Sequence, residues 1–114
     1  MGQADFVHDG AAIDHTPGSA LAAGDVVVIG DLVAVAKGPI PANTLGALAT
    51  EGVYDFAKAT GAGTDLTAGT LVYWDDTENV AKSDAESGAN KLIGPVIRAA
   101  ATTDATVRVL LRQR

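Results

Sequence analysis

The sequence contains no cysteine, so disulfides, thiolate ligands and thiol nucleophiles are excluded from its chemistry. Aromatic residues make up only 4% of the 114, which leaves Val, Leu, Ile and Ala to build any core. No apolar run approaches the roughly 18 residues that a membrane helix needs. No basic start precedes an apolar stretch, because Asp5, His8 and Asp9 interrupt the N-terminus. Phe6 stands where a myristoylation signal needs Ser or Thr. A soluble chain that starts in a cytoplasm is expected. Arginine is absent from the first 97 residues. A phosphate-binding Gly-x-x-x-x-Gly-Lys-[Ser/Thr] loop is missing, as are Gly-x-Ser-x-Gly and the spaced acids of a calcium loop. His8 and His15 lack the converging ligands that a metal site requires. These gaps point away from an enzyme, and no cofactor, metal or small-molecule substrate is expected.

What the sequence does contain is centred on residues 24–36, Gly-Asp-Val-Val-Val-Ile-Gly-Asp-Leu-Val-Ala-Val-Ala. Two short β-branched runs flank Gly30-Asp31, a two-residue loop in which a type II′ turn places Gly30 at positive φ. Almost every position is apolar, so both faces of the hairpin need cover. One face is expected inside its own subunit and the other at or near an oligomer interface.

The rest of the chain reads as short strands separated by turn residues. Residues 11–16 form a candidate strand ended by Pro17-Gly18. Pro39 and Pro41 make residues 37–43 a linker rather than a central strand. In residues 44–59 the glycines weaken a helix, and Val53, Asp55 and Ala57 alternate with Tyr54, Phe56 and Lys58. A strand is predicted there, with Gly52 at a bulge or a close backbone approach. Residues 65–69 are a single helical turn or a tight loop. Residues 70–74 form a strand carrying the only Trp, and the acidic stretch 75–90 is a surface loop with a short strand around Val80. Pro95 marks residues 92–100 as an edge strand or a bulged one. Residues 106–112 alternate, with Val107, Val109 and Leu111 on one face and Thr106, Arg108, Leu110 and Arg112 on the other. Arg108 and Arg112 are then roughly 13 Å apart along one face. Seven to nine short strands and at most one short helix define an all-β domain, a small barrel or sandwich. It occupies residues 11–114 behind an N-terminal arm, residues 1–10. Phe6 either starts the first strand and caps the core or docks on a neighbouring subunit.

Charge is unevenly distributed. Residues 1–90 hold three Lys and thirteen acids, a net −10, while residues 91–114 carry a net +4. The basic end either lies beside acidic loops of its own chain or makes head-to-tail contacts between copies. The overall excess of acid repels phosphate and argues against nucleic acid.

Four segments in order carry a family resemblance. They are Phe6-Val7-His8-Asp9-Gly10; the hairpin 24–36; Ala49-Thr50-Glu51-Gly52-Val53-Tyr54-Asp55-Phe56-Ala57-Lys58; and Ala68-Gly69-Thr70-Leu71-Val72-Tyr73-Trp74-Asp75, followed by Ile93-Gly94-Pro95-Val96 and Thr106-Val107-Arg108-Val109-Leu110-Leu111. The chain resembles the DUF2190 family of tailed-phage and prophage capsid cement, or decoration, proteins. That resemblance implies a β-tulip-like, non-catalytic subunit. It would assemble as a homotrimer on the outer surface of a phage head and bridge major capsid subunits. The expected location is the virion, with assembly in the bacterial host cytoplasm. Phe6, Val7 and His8 of the arm are then candidate capsid contacts, and Arg98, Arg108 and Arg112 candidate subunit contacts. The alternative from the residues themselves is a small non-catalytic β-barrel that binds carbohydrate or peptide.

Overall fold

A computed structural model describes residues 11–112. Among them are nine strands in two antiparallel sheets. The first sheet joins β1 (Ala12–His15), β4 (Gly46–Ala49), β3 (Leu32–Ala36) and β2 (Val26–Ile29), in that spatial order. The second joins β5 (Gly52–Ala57), β9 (Thr106–Leu111), β8 (Lys91–Arg98), β6 (Leu71–Asp75) and β7 (Val80–Lys82). Its two edges approach each other at one parallel bridge, Lys58↔Ala81. This is the sandwich form of the expected all-β class. The only helical element among the described residues is a 3-10 turn, Glu86–Gly88, within the acidic segment. Residues 65–69 form no helix, and Leu66 bridges Ala100 instead.

The opening hairpin forms as its residues dictate. Ile29 pairs with Leu32 across the two-residue loop, Gly30 has φ 61°, and Asp31 stays at negative φ. That is the φ pattern of a type II′ turn. Its burial corrects the expectation of an outward interface face. Val33 and Val35 enter the main core with Val72, Ile93, Val96 and Val109. Ala34 and Ala36 on the opposite face are equally buried, against Ile40 and Leu48, with Leu21 and Ile13 alongside. Both faces of β3 are therefore closed within one chain. The cover comes from the proline-bearing linker, since Leu21 and Ile40 exchange backbone hydrogen bonds at 2.8 and 2.9 Å. Only β2, the sheet edge, remains half-buried.

Residues 44–59 are two strands, not one. The chain leaves the first sheet after β4 and enters the second at β5, so Thr50-Glu51 is the crossing point. Gly52 has φ 131°, and a Cβ there would stand 3.1 Å from the Tyr54 ring. It marks a close approach, one of the two roles expected of it. At the far end of β5, Lys58 is buried without a carboxylate. Its ammonium donates to the Ala59 carbonyl (2.8 Å), the Asp104 carbonyl (3.1 Å) and Thr64 Oγ1 (3.2 Å). Three acceptors satisfy its three N–H groups, and this ties loop 59–64 to the turn before β9.

Strand β8 is central rather than an edge, flanked by β9 and β6. Pro95 is accommodated because the register shifts on both sides of it. One shift lies opposite Val72/Tyr73 and the other between Val96 and Arg98. A proline within a central strand requires such irregularity, because it contributes no ladder donor. Beside it, Gly94 has φ 151°, and a Cβ there would lie 2.0 Å from the Leu110 carbonyl oxygen. No side chain fits between these backbones. We predict that Gly94→Ala costs about 3 kcal/mol or more, combining backbone strain with overpacking against main chain. Gly38→Ala, with open space around it and no positive φ, should stay within about 0.5 kcal/mol. Urea unfolding of both variants beside the parent chain checks the contrast.

Candidate functional site

The strongest candidate is the outer face of the five-stranded sheet. Alternation sends Val72, Trp74, Phe56, Val107, Val109 and Leu111 inward. The strand register then fixes what lies outside. Val53 pairs with Leu110, and Leu71 pairs with Pro95. Val96 pairs with Val109, which sets Leu110 beside Pro95. Val53, Leu110, Pro95 and Leu71 thus form an apolar row across four strands. Val53 is 54% exposed, Leu71 44%, and neighbouring Ile97 45%. These are three of the five exposed large apolar residues among those described. A contiguous exposed patch of this kind marks an interaction surface more often than isolated apolar residues do.

Charged groups border the row. On one side, Asp55 and Arg108 are direct cross-strand partners. The guanidinium donates through Nε to Oδ1 at 3.0 Å and through Nη2 to Oδ2 at 3.2 Å. This bidentate pair holds the Asp55 carboxyl below its ordinary range, chiefly through the hydrogen bond from Arg108; the nearby Arg98 charge acts in the same direction. Arg98 is the register partner of Arg108, and both line an open cleft of about 270 Å³ with Asp55 and Asp104. Arg98 makes no ion pair among the described residues. Arg112 is not brought to them. It borders a separate open cleft of about 690 Å³ with Asp31, Tyr73, Lys91 and Leu92.

At the opposite end of the sheet, Lys82 pairs with three carboxylates: Asp75 at 2.9 Å, Glu78 at 3.0 Å and Glu86 at 3.2 Å. These carboxylates push the ammonium pKa well up. Asp75 is the buried member. Its Oδ1 accepts the backbone N–H groups of Thr77 (2.9 Å) and Glu78 (3.0 Å), which shapes the β6–β7 loop. Those bonds, with Glu78 the largest contributor and Lys82 next, lower the Asp75 pKa. Lys91 likewise lowers Asp31 through a 2.9 Å pair that joins the opening hairpin turn to the start of β8.

Of the residues singled out from sequence, Arg98 and Arg108 come together and Arg112 stands apart. Arg108 takes the intramolecular role, with Asp55. Phe6, Val7 and His8 lie outside the described residues. The apolar row was missed. Its signal was present, because Val53 and Leu110 are apolar residues on the polar phase of alternating strands. Of the aromatics that a carbohydrate module would expose, Phe56 and Trp74 are core, Tyr54 packs partly buried against them and Tyr73 is half-buried on the outer face. Phe56 packs 5.9 Å from Trp74 and 6.2 Å from Tyr54, and Trp74 is 5% exposed.

The site is thus a surface and not a pocket, on a rigid β scaffold: the anatomy of an interaction protein. The sequence model of the phage cement protein family matches residues 7–111. The chain belongs to that family, and its role is that of a phage capsid cement or decoration protein, associated with the capsid in the virion. Comparison with curated proteins and with solved structures gives no match.

The lowered carboxyl groups set a pH dependence. Asp31, Asp55 and Asp75 are held below the ordinary range in the folded chain, so the unfolded chain takes up their protons first as pH falls. Their contribution is complete above about pH 5 and is lost progressively as pH falls through the unfolded value and then the depressed folded values. The Lys82 shift has the opposite sign, and its contribution is lost only in strong alkali. We predict a melting temperature that falls between about pH 5 and pH 2, less steeply in Asp75→Asn. Thermal unfolding across that range checks it; parallel slopes would assign the acid limb to other groups.

Proposed function

We propose that this chain is a non-catalytic decoration protein of the DUF2190 kind. It assembles as a homotrimer on the outer surface of a tailed-phage head, where it bridges neighbouring major capsid subunits. The observation that carries this reading is the family match across residues 7–111, which spans both sheets. The architecture supports it. A cement protein works by rigidity and by contacts made at several points. Closing both faces of β3 within one chain supplies the first. Trimerisation supplies the second, since three modest attachments on one body reinforce each other through effective concentration.

In this reading Phe6, Val7 and His8 contact the capsid, and Arg98, Arg108 and Arg112 contact sister subunits. Burying Phe6 or Val7 on the lattice contributes about 1.5–3 kcal/mol per side chain. The chain passes through the bacterial host cytoplasm before it joins the virion.

The test is to mix purified protein with undecorated heads of its phage. Saturable, stoichiometric binding is expected, and no binding contradicts the proposal. Deleting residues 2–9 is expected to leave the thermal transition intact while weakening attachment at least about tenfold. Loss of folding would instead assign Phe6 to the core.

A further inference from the structure

We infer that the apolar row Val53–Leu110–Pro95–Leu71 is covered by a second copy of this chain; the inference rests on the oligomeric cement reading above and names its contact surface. Two observations support this, and the second points to a sister copy. The first is composition. An apolar centre bordered by Tyr73 and by arginines is the make-up of a protein interface core and rim.

The second is charge polarity along one face. Strand β8 runs from Lys91, paired with Trp74 beside the acidic cluster, to Arg98. Seven rises of about 3.3 Å separate those ends by roughly 23 Å. The row crosses between them at Pro95. At one end Arg98 has no carboxylate within ion-pair distance among the described residues. At the other, Asp75, Glu78 and Glu86 share one ammonium, which leaves two excess negative charges. Asp75 and Lys82 occupy the outward phase shared by Leu71 and Tyr73, so this imbalance faces the same side as the row. The complement is local: among the described residues Arg98 is unpaired although Asp104 shares its cleft, and Glu78 and Glu86 exceed their shared ammonium although Arg112 borders that end. When rows meet, Arg98 of one copy reaches the Glu78–Glu86 end of the next. Two rows meeting with ends reversed set each Arg98 against the other's acidic end, a self-complementary contact, while the same ends meeting in turn around an axis close a ring.

The test measures mass by light scattering over a concentration series, on the full chain and on Val53→Glu, Leu71→Glu and Arg98→Glu. Leu45→Glu serves as control, at a 66% exposed position before β4. The melting temperature of each variant reports folding. The parent and Leu45→Glu are expected at a multiple of 11.5 kDa. Val53→Glu and Leu71→Glu should associate about tenfold or more weakly while remaining folded. Arg98→Glu should weaken association too, and adding Glu78→Arg should restore it. A monomeric parent chain, or an oligomer untouched by all three substitutions, overturns the inference. So does a variant that keeps its mass but loses head binding, because the row would then belong to the capsid. Head binding by the parent chain is scored separately: its absence refutes the cement reading whatever the mass.

Discussion

The close approach of β8 and β9 at Gly94 is the constraint on which the rest of the structure depends. A Cβ at that position would sit 2.0 Å from the Leu110 carbonyl oxygen, so only glycine lets these two central strands lie together. From that contact the sheet is built outward. Ile93 and Val96 of β8 reach the core that β3 closes from above. Pro95 stays on the outside, and the register shifts on either side absorb its missing donor. The carbonyl that excludes a side chain at Gly94 belongs to Leu110, whose own side chain lies in the exposed row. The strand that seals the core thus also shapes the outer face.

The two sheets divide the work. In the four-stranded sheet, β3 is buried on both faces, with Val33 and Val35 against the five-stranded sheet and the linker folded back over Ala34 and Ala36. The five-stranded sheet offers the face. Its charges are arranged in local groups: Arg108 is committed to Asp55, Lys82 is shared by three acids, and Arg98 has no ion-pair partner among the described residues. Exposed ion pairs contribute little to stability, typically about 0–1 kcal/mol. Their arrangement says more about what the surface can meet than about what holds the fold.

Much of the fold was legible because it is local. Gly30-Asp31 between two β-branched runs specifies its own turn, and the alternation from Thr106 to Leu111 places each residue on its observed face. What was not legible depends on register between distant strands. Nothing near Asp55 announces Arg108, 53 residues away. Nothing near Val53 announces Leu110, Pro95 and Leu71, since a row across four strands exists only after β5, β9, β8 and β6 are aligned. Pro95 pointed to an edge strand or a bulged one, and the second holds: β8 is central, with register shifts on both sides of the proline. The apolar character of residues 26–36 was read as need for a neighbour. The linker met that need instead, through Ile40 and Leu21, which no periodicity in the sequence connects to the hairpin.

The central claim is that this small β sandwich acts from outside the phage head, surface to surface. The most direct measurement is a cryo-electron-microscopy reconstruction of heads assembled with and without the chain. The account predicts ordered density on the outer capsid surface only when the chain is present, shaped as clustered copies that span neighbouring major capsid subunits. Identical outer surfaces in the two reconstructions, or density confined to the interior, would contradict it.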